Sequence, residues 1–215
     1  MTDHPLRLAA GSHEKGSGKG CVMNVVSWIA GDTTITDTPD CADPFLTSIA
    51  QTVNDTICNH RDRDLLCAEC SQVVLDLGNR TIGTAGVATK AHYVELAIWS
   101  ARSAGPSERR LRLLEATEEW MERESHAKWN ELTLGMLGTL EENLFFHDRA
   151  DRSTLLAARC AVDPSGLPAH FAFEAVLHAG TGVLAAFDKW FEVTGHVATP
   201  APAETLHTAW AELVQ

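Results

Sequence analysis

The chain has 215 residues, of which 45% are hydrophobic, and 29 acidic residues against 17 Lys and Arg residues give it a formal net charge of −12. This apolar content excludes a wholly disordered chain, and no apolar run approaches the ~20 residues that a membrane-spanning helix needs. The acidic balance, which holds in both halves of the sequence, argues against a general nucleic-acid coat, because such proteins bind phosphate through Lys and Arg.

Helical spacing of apolar residues, interrupted by capping residues and helix breakers, is the main structural signal along the chain. It predicts a first short helix over residues 21–30 that ends at Gly31. Asp43 followed by Pro44 has the form of an N-cap with proline at the first helical position. A second helix is therefore expected over residues 44–57.

The later helices are predicted from the same apolar spacing, and Gly78-Asn79 is expected to end the helix over residues 65–77. They cover residues 65–77, 87–102 and 107 to about 146, a short stretch capped by Ser153, and then about 169–179, 183–193 and 203–214. No segment shows the sustained alternation of apolar and polar residues that is typical of a sheet. The expected fold class is all-α, a multi-helix bundle.

The strongest break in the chain is Gly105-Pro106, where a helix cannot continue. It predicts a Cys-rich helical domain over residues 1–104 and an acidic helical domain over residues 107–215. Each part is close to the usual size of a small domain. The sequence leaves open whether the two are separate domains or two layers of one core.

The six cysteines are the residues most suggestive of chemistry. The N-terminus lacks the charged and then apolar pattern of a secretory signal, so we expect a cytoplasmic protein without a membrane anchor. Thiols are kept reduced in that compartment. The cysteines are therefore expected to be metal ligands, small buried side chains or reactive thiols rather than three disulfides.

Two closely spaced pairs, Cys58-x-His60 and Cys67-x-x-Cys70, predict a zinc site. Zinc prefers four thiolate or imidazole ligands in a tetrahedron, and paired ligands reduce the chain entropy lost in assembling the site. A Cys3His site of this kind would clasp a helix–helix corner in the N-terminal half. Four protein ligands leave no position for a substrate, so the predicted role is structural. The alternative is reduced cysteines packed beside helices, with His60 in solvent.

A second group of candidate ligands flanks the first predicted helix. It consists of His13, Cys21 and Cys41, with Asp32 and Asp37 as possible oxygen ligands. Such a group would need tertiary proximity that the sequence does not show. A core role for the two cysteines, with His13 hydrogen-bonded to a loop, is the favoured interpretation.

The densest basic cluster is Arg109, Arg110 and Arg112. Its favoured interpretation is a solvated helix face on which the arginines pair with Glu108 and Glu115. The alternative is a small phosphate-binding face that would contact DNA directly.

Several short motifs in the first 100 residues carry a resemblance to a known family. They are Gly11-Ser12-His13, Cys21-Val22-Met23-Asn24, Trp28-Ile29-Ala30-Gly31-Asp32, Thr36-Asp37-Thr38-Pro39-Asp40-Cys41, Val53-Asn54-Asp55 and Ile82-Gly83-Thr84. In this pattern the chain resembles an uncharacterised family of helical proteins from actinobacteria and their phages. Asn24 and Asp32 stand where that family has glutamates. The resemblance implies a helical domain in a bacterial or phage context and no particular activity.

These observations together favour a non-catalytic accessory or regulatory protein that works by binding another protein. A host or phage factor, such as a recombinase, a polymerase or another DNA-transaction protein, is the expected partner. This expectation rests on the acidic charge of the chain, its many predicted helices and the absence of a recognisable catalytic motif in the sequence. Two alternatives stand beside it: a metal-dependent hydrolase with a site around His13, Asp32, Asp37 and Cys41, and a DNA-binding regulator that uses the arginine cluster.

Overall fold

The structure is a computed structural model that describes residues 6–11, 13, 16–59, 64–105, 107–123, 149–162 and 166–215. Over these residues the chain forms nine helices and no strand, which confirms the all-α prediction. An isolated antiparallel bridge joins Ala9 to Leu65. None of the described helices combines the length and the apolar character that crossing a membrane requires.

The helices are numbered here in chain order. They are α1 (Val22–Ala30), α2 (Pro44–Thr56), α3 (Ala68–Asn79), α4 (Lys90–Ser103), α5 (Glu108–Arg123), α6 (Arg149–Val162), α7 (Pro168–Ala179), α8 (Val183–Thr194) and α9 (Ala203–Leu213). Most of the predicted helices are thus present, although their bounds differ by a few residues. The predicted extension of α5 beyond residue 123 lies outside the described residues.

The chain divides into two compact units. The first unit contains Met1–Val87 and His196–Gln215, and the second contains Ala88–Gly195. This division does not fall at Gly105-Pro106, where the sequence predicts a boundary. The physical reason is packing, because α9 contacts α1 in the first unit, while α4 contacts α6, α7 and α8 in the second.

Two predicted helix ends in the first unit are confirmed in detail. Gly31 follows α1 in the left-handed conformation, with φ 81°, and its backbone N–H bonds the carbonyls of the preceding turn. The Asp43 side chain accepts hydrogen bonds from the backbone N–H groups of Phe45 and Leu46, and Pro44 occupies the first position of α2.

The third helix differs from its prediction at both ends. It begins at Ala68 rather than Leu65, because Leu65 is paired with Ala9 in the bridge. It continues through Gly78, which the sequence places at its end. A Cβ at Gly78 would overlap Cγ2 of Val22, so the glycine permits close packing of α3 on α1 rather than a turn.

The second unit is built around α4, α6 and α7. The sequence predicts Ser153 as a helix cap, and that prediction is wrong, because α6 begins at Arg149 and Ser153 lies inside it. The Ser153 side chain is fully buried, and its hydroxyl donates to the backbone carbonyl of Ala175 in α7 at 2.8 Å. A serine that bonds a neighbouring helix in this way is compatible with a helix interior.

Candidate metal centre

Three cysteines of the first unit meet at the start of α3, and they are called the thiol cluster below. Cys58 follows the end of α2, Cys67 is the N-cap of α3, and Cys70 lies in the first turn of α3. Their Sγ atoms all lie within 4.8 Å of one another. A Zn–S bond of about 2.3 Å in a tetrahedron separates two sulfurs by about 3.8 Å, so the thiol cluster needs little movement to enclose an ion.

Backbone N–H groups point at two of the three sulfurs. The N–H of Cys67 donates to Sγ of Cys58 at 3.4 Å, and the N–H of Cys70 donates to Sγ of Cys67 at 3.4 Å. These two bonds orient the sulfurs of Cys58 and Cys67 before any ion arrives.

An N-terminal arm, residues 6–11, holds the segment that precedes α3. The N–H of Leu66 donates to the carbonyl of Leu8 at 2.9 Å, and the N–H of Ala10 donates to the carbonyl of Asp64 at 2.8 Å. The N–H of Leu8 donates to the buried hydroxyl of Ser71 in α3 at 3.0 Å. Leu8 and Leu66 are fully buried, so this pairing fixes the backbone on which Cys67 sits.

The Cys70 thiol is hard to ionise while no cation is bound to the thiol cluster. The pKa of Cys70 is raised to about 12. The largest cause is hydrogen bonding with the Cys67 thiol. Desolvation, hydrogen bonding with Cys58 and the negative charge of Cys58 add to the rise. Three ionised thiols therefore repel one another at this spacing. A divalent cation would compensate that charge and displace the protons.

The structure brings together three of the four zinc ligands that the sequence predicts. Cys58 is buried, with 3% of its surface exposed, while Cys67 and Cys70 are half-buried. The fourth predicted ligand, His60, lies outside the described residues. Within the described residues, the three cysteines are close enough together to hold a metal ion.

The other candidate ligands do not converge. In the described part of the chain, the thiol cluster is the only group of three or more side chains close enough to share an ion. Nε2 of His13 lies 2.9 Å from the carbonyl oxygen of Ala10, as expected for a histidine bonded to a loop. The Asp32 carboxylate accepts a hydrogen bond from the Ser27 hydroxyl at 2.7 Å. The geometry thus assembles no centre from His13, Asp32, Asp37 and Cys41.

The two cysteines of that group lie beside different acids. Burial raises the pKa of Cys41, and the charge of Asp32 adds to the effect. Burial also raises the pKa of Cys21 to about 11; the N–H groups of Asn24 and Met23 offset part of the rise, and the charges of Asp37 and Asp55 add to it. Cys21 is therefore a neutral thiol near pH 7 and a poor nucleophile.

The arginine cluster lies on an exposed face of α5. Arg112 forms an ion pair with Glu108 one turn earlier, as the sequence predicts for a solvated face. Both side chains are more than 70% exposed, so this pair contributes little to stability. The side chain of Arg109 lies outside the described residues.

The sequence interpretation missed the residues that support the thiol cluster. Ser71 and Leu8 are 63 positions apart, and nothing in their local sequence indicates that they meet. The bridge of Ala9 with Leu65 involves single residues, too few for an alternating pattern.

Comparisons with protein-family models, with curated protein sequences and with solved structures found no match to the chain.

Proposed function

We propose that Cys58, Cys67 and Cys70 bind a Zn²⁺ ion, with His60, which lies between them in the sequence, as the fourth ligand. The observation that carries this proposal is the mutual approach of three sulfurs within 4.8 Å at the N-terminus of a helix. Thiolates select soft or borderline metals such as zinc over Mg²⁺ or Ca²⁺, which prefer oxygen ligands. His60 stands two residues after Cys58 in the sequence, and its imidazole would complete a tetrahedron of ligands.

The proposed role of the ion is structural. Three cysteines and a histidine fill a tetrahedral site and leave no position for a substrate or an activated water. The ion would connect the residue that follows the C-cap of α2 to the first turn of α3. Its binding free energy then adds to the folding free energy of the first unit.

Elemental analysis of protein purified without added metal tests the zinc site. We expect about one zinc ion per chain, and loss of that zinc in Cys58→Ser and Cys70→Ser. Cys160→Ser is the matched control, because Cys160 is a buried cysteine in α6 of the second unit, outside the thiol cluster. His60→Ala should retain zinc with weaker affinity.

Substitution by Co²⁺ gives an independent readout, since tetrahedral thiolate coordination produces intense visible absorption. Wild-type protein should show this absorption, and Cys67→Ser should lose it. Metal-free protein that is fully folded and binds neither ion would contradict the proposal. Equal metal content in the Cys58 and Cys160 variants would contradict it as well.

We further propose that the protein is a non-catalytic accessory or regulatory factor, in an actinobacterium or its phage, that acts by binding another protein. A closed metal site and a Cys21 thiol held neutral support a role without catalysis. The charge of −12 supports association with a basic partner, such as a recombinase or polymerase, because opposite charges steer encounter. The second unit also exposes large apolar side chains, namely Leu167, Leu177 and Leu184.

Co-purification with a tagged chain from host lysate, followed by reconstitution with the purified partner, tests this proposal. We expect a stoichiometric complex whose association rate falls as salt rises. A complex that forms only in the presence of DNA, or DNA binding by the protein alone that weakens with salt, would instead support the DNA-binding alternative. Absence of any stoichiometric partner would count against the proposal.

A further inference from the structure

A small cleft lies in the first unit, and none of the three thiol-cluster cysteines lines it. Its volume is about 180 Å³, the space of about six water molecules. It is lined by Gly11, Cys21, Asp37, Gln51, Asn54 and Asp55. Five of these six residues belong to the short motifs singled out in the sequence, and only Gln51 does not. Motifs spread over 45 positions thus meet around one cavity.

The cleft is held in shape by hydrogen bonds between its walls. Asn54 donates to the carbonyl of Ala9 at 2.9 Å and to Oδ1 of Asp55 at 3.0 Å. The backbone N–H of Gly11 also donates to Oδ1 of Asp55, at 2.9 Å. Gln51 donates to the backbone carbonyl of Asp37 at 2.7 Å. The arm, the α1–α2 loop and the last turns of α2 are therefore fixed relative to one another.

These bonds use the N–H donors of the cleft walls, so carboxylate oxygens and their negative charge remain available in the cleft. In the part of the chain that the structure describes, neither Oδ2 of Asp55 nor the Asp37 carboxylate has a hydrogen-bond or ion-pair partner. Both carboxylates lie close enough to Cys21 to raise its pKa. The floor is formed by buried Cys21 and Asn54, while Asp55 is exposed at the rim. A ligand for this cleft must therefore supply positive charge and several N–H donors.

The thiol and carboxylate groups of the cleft do not stand close enough together for three of them to share a metal ion. A metal ion needs ligand atoms about 2.0–2.6 Å from its centre and hence close to one another. Cys21, Asp37 and Asp55 do not form such a three-ligand group. An alkylammonium or guanidinium group reaches acceptors that are farther apart, because each N–H bond adds a nitrogen-to-oxygen distance of about 2.8 Å. A guanidinium group in particular presents its donors in a planar fork.

We propose that this cleft binds the guanidinium or primary ammonium group of an organic cation, with Asp37 and Asp55 as the acceptors that neutralise its charge. The cation is either a free small molecule or an arginine or lysine side chain of a polypeptide. The proposal goes beyond the function proposed above, and it does not depend on zinc, since no residue of the cleft belongs to the thiol cluster.

Titration with methylguanidinium and methylammonium, followed by amide NMR, tests the proposal. We expect saturable shifts at Gly11, Cys21 and Asn54 with at least one of the two cations. N-methylurea, a neutral molecule of nearly the same shape as methylguanidinium, should not bind. Asp37→Asn should weaken binding by about tenfold or more, because it removes a charge-assisted hydrogen bond. This variant should remain folded, since the Asp37 carboxylate makes no hydrogen bond in the described part of the chain.

The matched control is Asp40→Asn, an exposed aspartate three residues later in the same loop and outside the cleft. It makes the same change in net charge and should leave binding unchanged. Equal weakening in the two variants, binding of N-methylurea, or no binding of either cation would overturn the proposal. Saturable binding of Ca²⁺ or Mg²⁺ that Asp37→Asn abolishes would also overturn it, in favour of a metal site.

Two further arms distinguish the sources of the cation. A capped peptide with a central arginine or lysine that binds more tightly than the matching methyl probe identifies a polypeptide side chain as the source. Free arginine or lysine that binds when the capped peptide does not identifies a small molecule. Zinc content measured on the same Asp37→Asn sample should equal that of the wild type, so failure of the cleft proposal and failure of the metal proposal are separable.

Discussion

Cys21 illustrates how a single buried side chain links stability to pH. The residue is 3% exposed and is the N-cap of α1, where its backbone N–H donates to Oδ1 of Asn24 at 3.1 Å. Burial is the largest cause of its raised pKa. A thiol that is harder to ionise in the folded chain than in the unfolded chain stabilises the fold only while it is protonated.

The first prediction concerns the alkaline stability of Cys21→Ser. The unfolded thiol ionises near its ordinary pKa of 9.0, whereas the folded thiol holds its proton until about 11. The stabilisation is therefore complete below about pH 9 and is lost as pH rises through about 11, at a cost of up to about 3 kcal/mol. Serine keeps a capping oxygen and does not titrate in this range.

Urea unfolding at a series of pH values measures this effect. We expect the free energy of unfolding of the wild type to fall more steeply between about pH 9 and about pH 11 than that of Cys21→Ser. Below about pH 9 the difference between the two proteins should be constant. Parallel curves over the whole range would show that Cys21 does not titrate as described.

At the residue scale, the sequence predicts local roles well and distant roles poorly. Asp43 caps α2 as expected, because the capping bond joins neighbours in sequence. The approach of Cys67 to Cys70 also follows from helical spacing. The sequence predicts a cap at Ser153 because serine is a good N-cap residue, but the Ser153 hydroxyl donates to the carbonyl of Ala175 on another helix. The role of Ser153 is set by a tertiary contact, and the spacing of neighbouring residues in the sequence does not indicate such contacts.

At the element scale, the contact of α1 with α3 depends on the absence of a side chain at Gly78. Val22 fills the space that a Cβ at Gly78 would need. Glycine inside a helix costs about 1 kcal/mol relative to alanine, so its presence there requires a compensating gain from packing. That gain is the close approach of the two helices.

The second prediction follows from this contact. Gly78→Ala should destabilise the protein by about 1–2 kcal/mol, because overlap with the stiff, β-branched Val22 outweighs the better helix propensity of alanine. Chemical denaturation measures the cost. The double variant Val22→Ala/Gly78→Ala should be more stable, by about 1 kcal/mol, than the sum of the two single effects. An increase in stability on Gly78→Ala alone would contradict the packing argument.

Helix existence was predictable from apolar spacing, whereas some helix bounds were not. The predicted start of α3 at Leu65 included the residues that pair with the arm, because Leu65 and Leu66 continue the apolar pattern. Both conformations bury apolar side chains, and sequence spacing does not distinguish them over so few residues. The start of α3 matters for the site, since it makes Cys67 an N-cap whose sulfur accepts an N–H bond.

At the scale of the whole molecule, the last helix belongs to the unit that begins the chain. Helix α9 packs on α1, and the backbone N–H of Gly16 donates to the carbonyl of Leu213 at 3.1 Å. Gly105-Pro106 breaks a helix without dividing these units. A break in local structure is visible in sequence, but the pairing of distant helices depends on complementary surfaces that the spacing of apolar residues does not specify.

The third prediction concerns the effect of zinc removal on the two units. Because the thiol cluster and the arm that braces it both lie in the first unit, chelation should open that unit locally. Hydrogen exchange should become at least about tenfold faster at the amides of Leu66 and Ala10, whose bonds join the arm to the segment before α3. Cys58→Ser should reproduce the change without a chelator.

Helices α6 and α7 provide the internal reference for that experiment. They pack on each other in the second unit, with the buried hydroxyl of Ser153 bonded across the contact, and they contain none of the three thiol-cluster residues. Their exchange should stay the same when zinc is removed, and Cys160→Ser should leave the arm protected. Equal acceleration in both units would mean that the ion stabilises the fold globally. Unchanged exchange at Leu66 would mean that the arm holds α3 without the ion, in which case the structural role proposed for zinc is wrong.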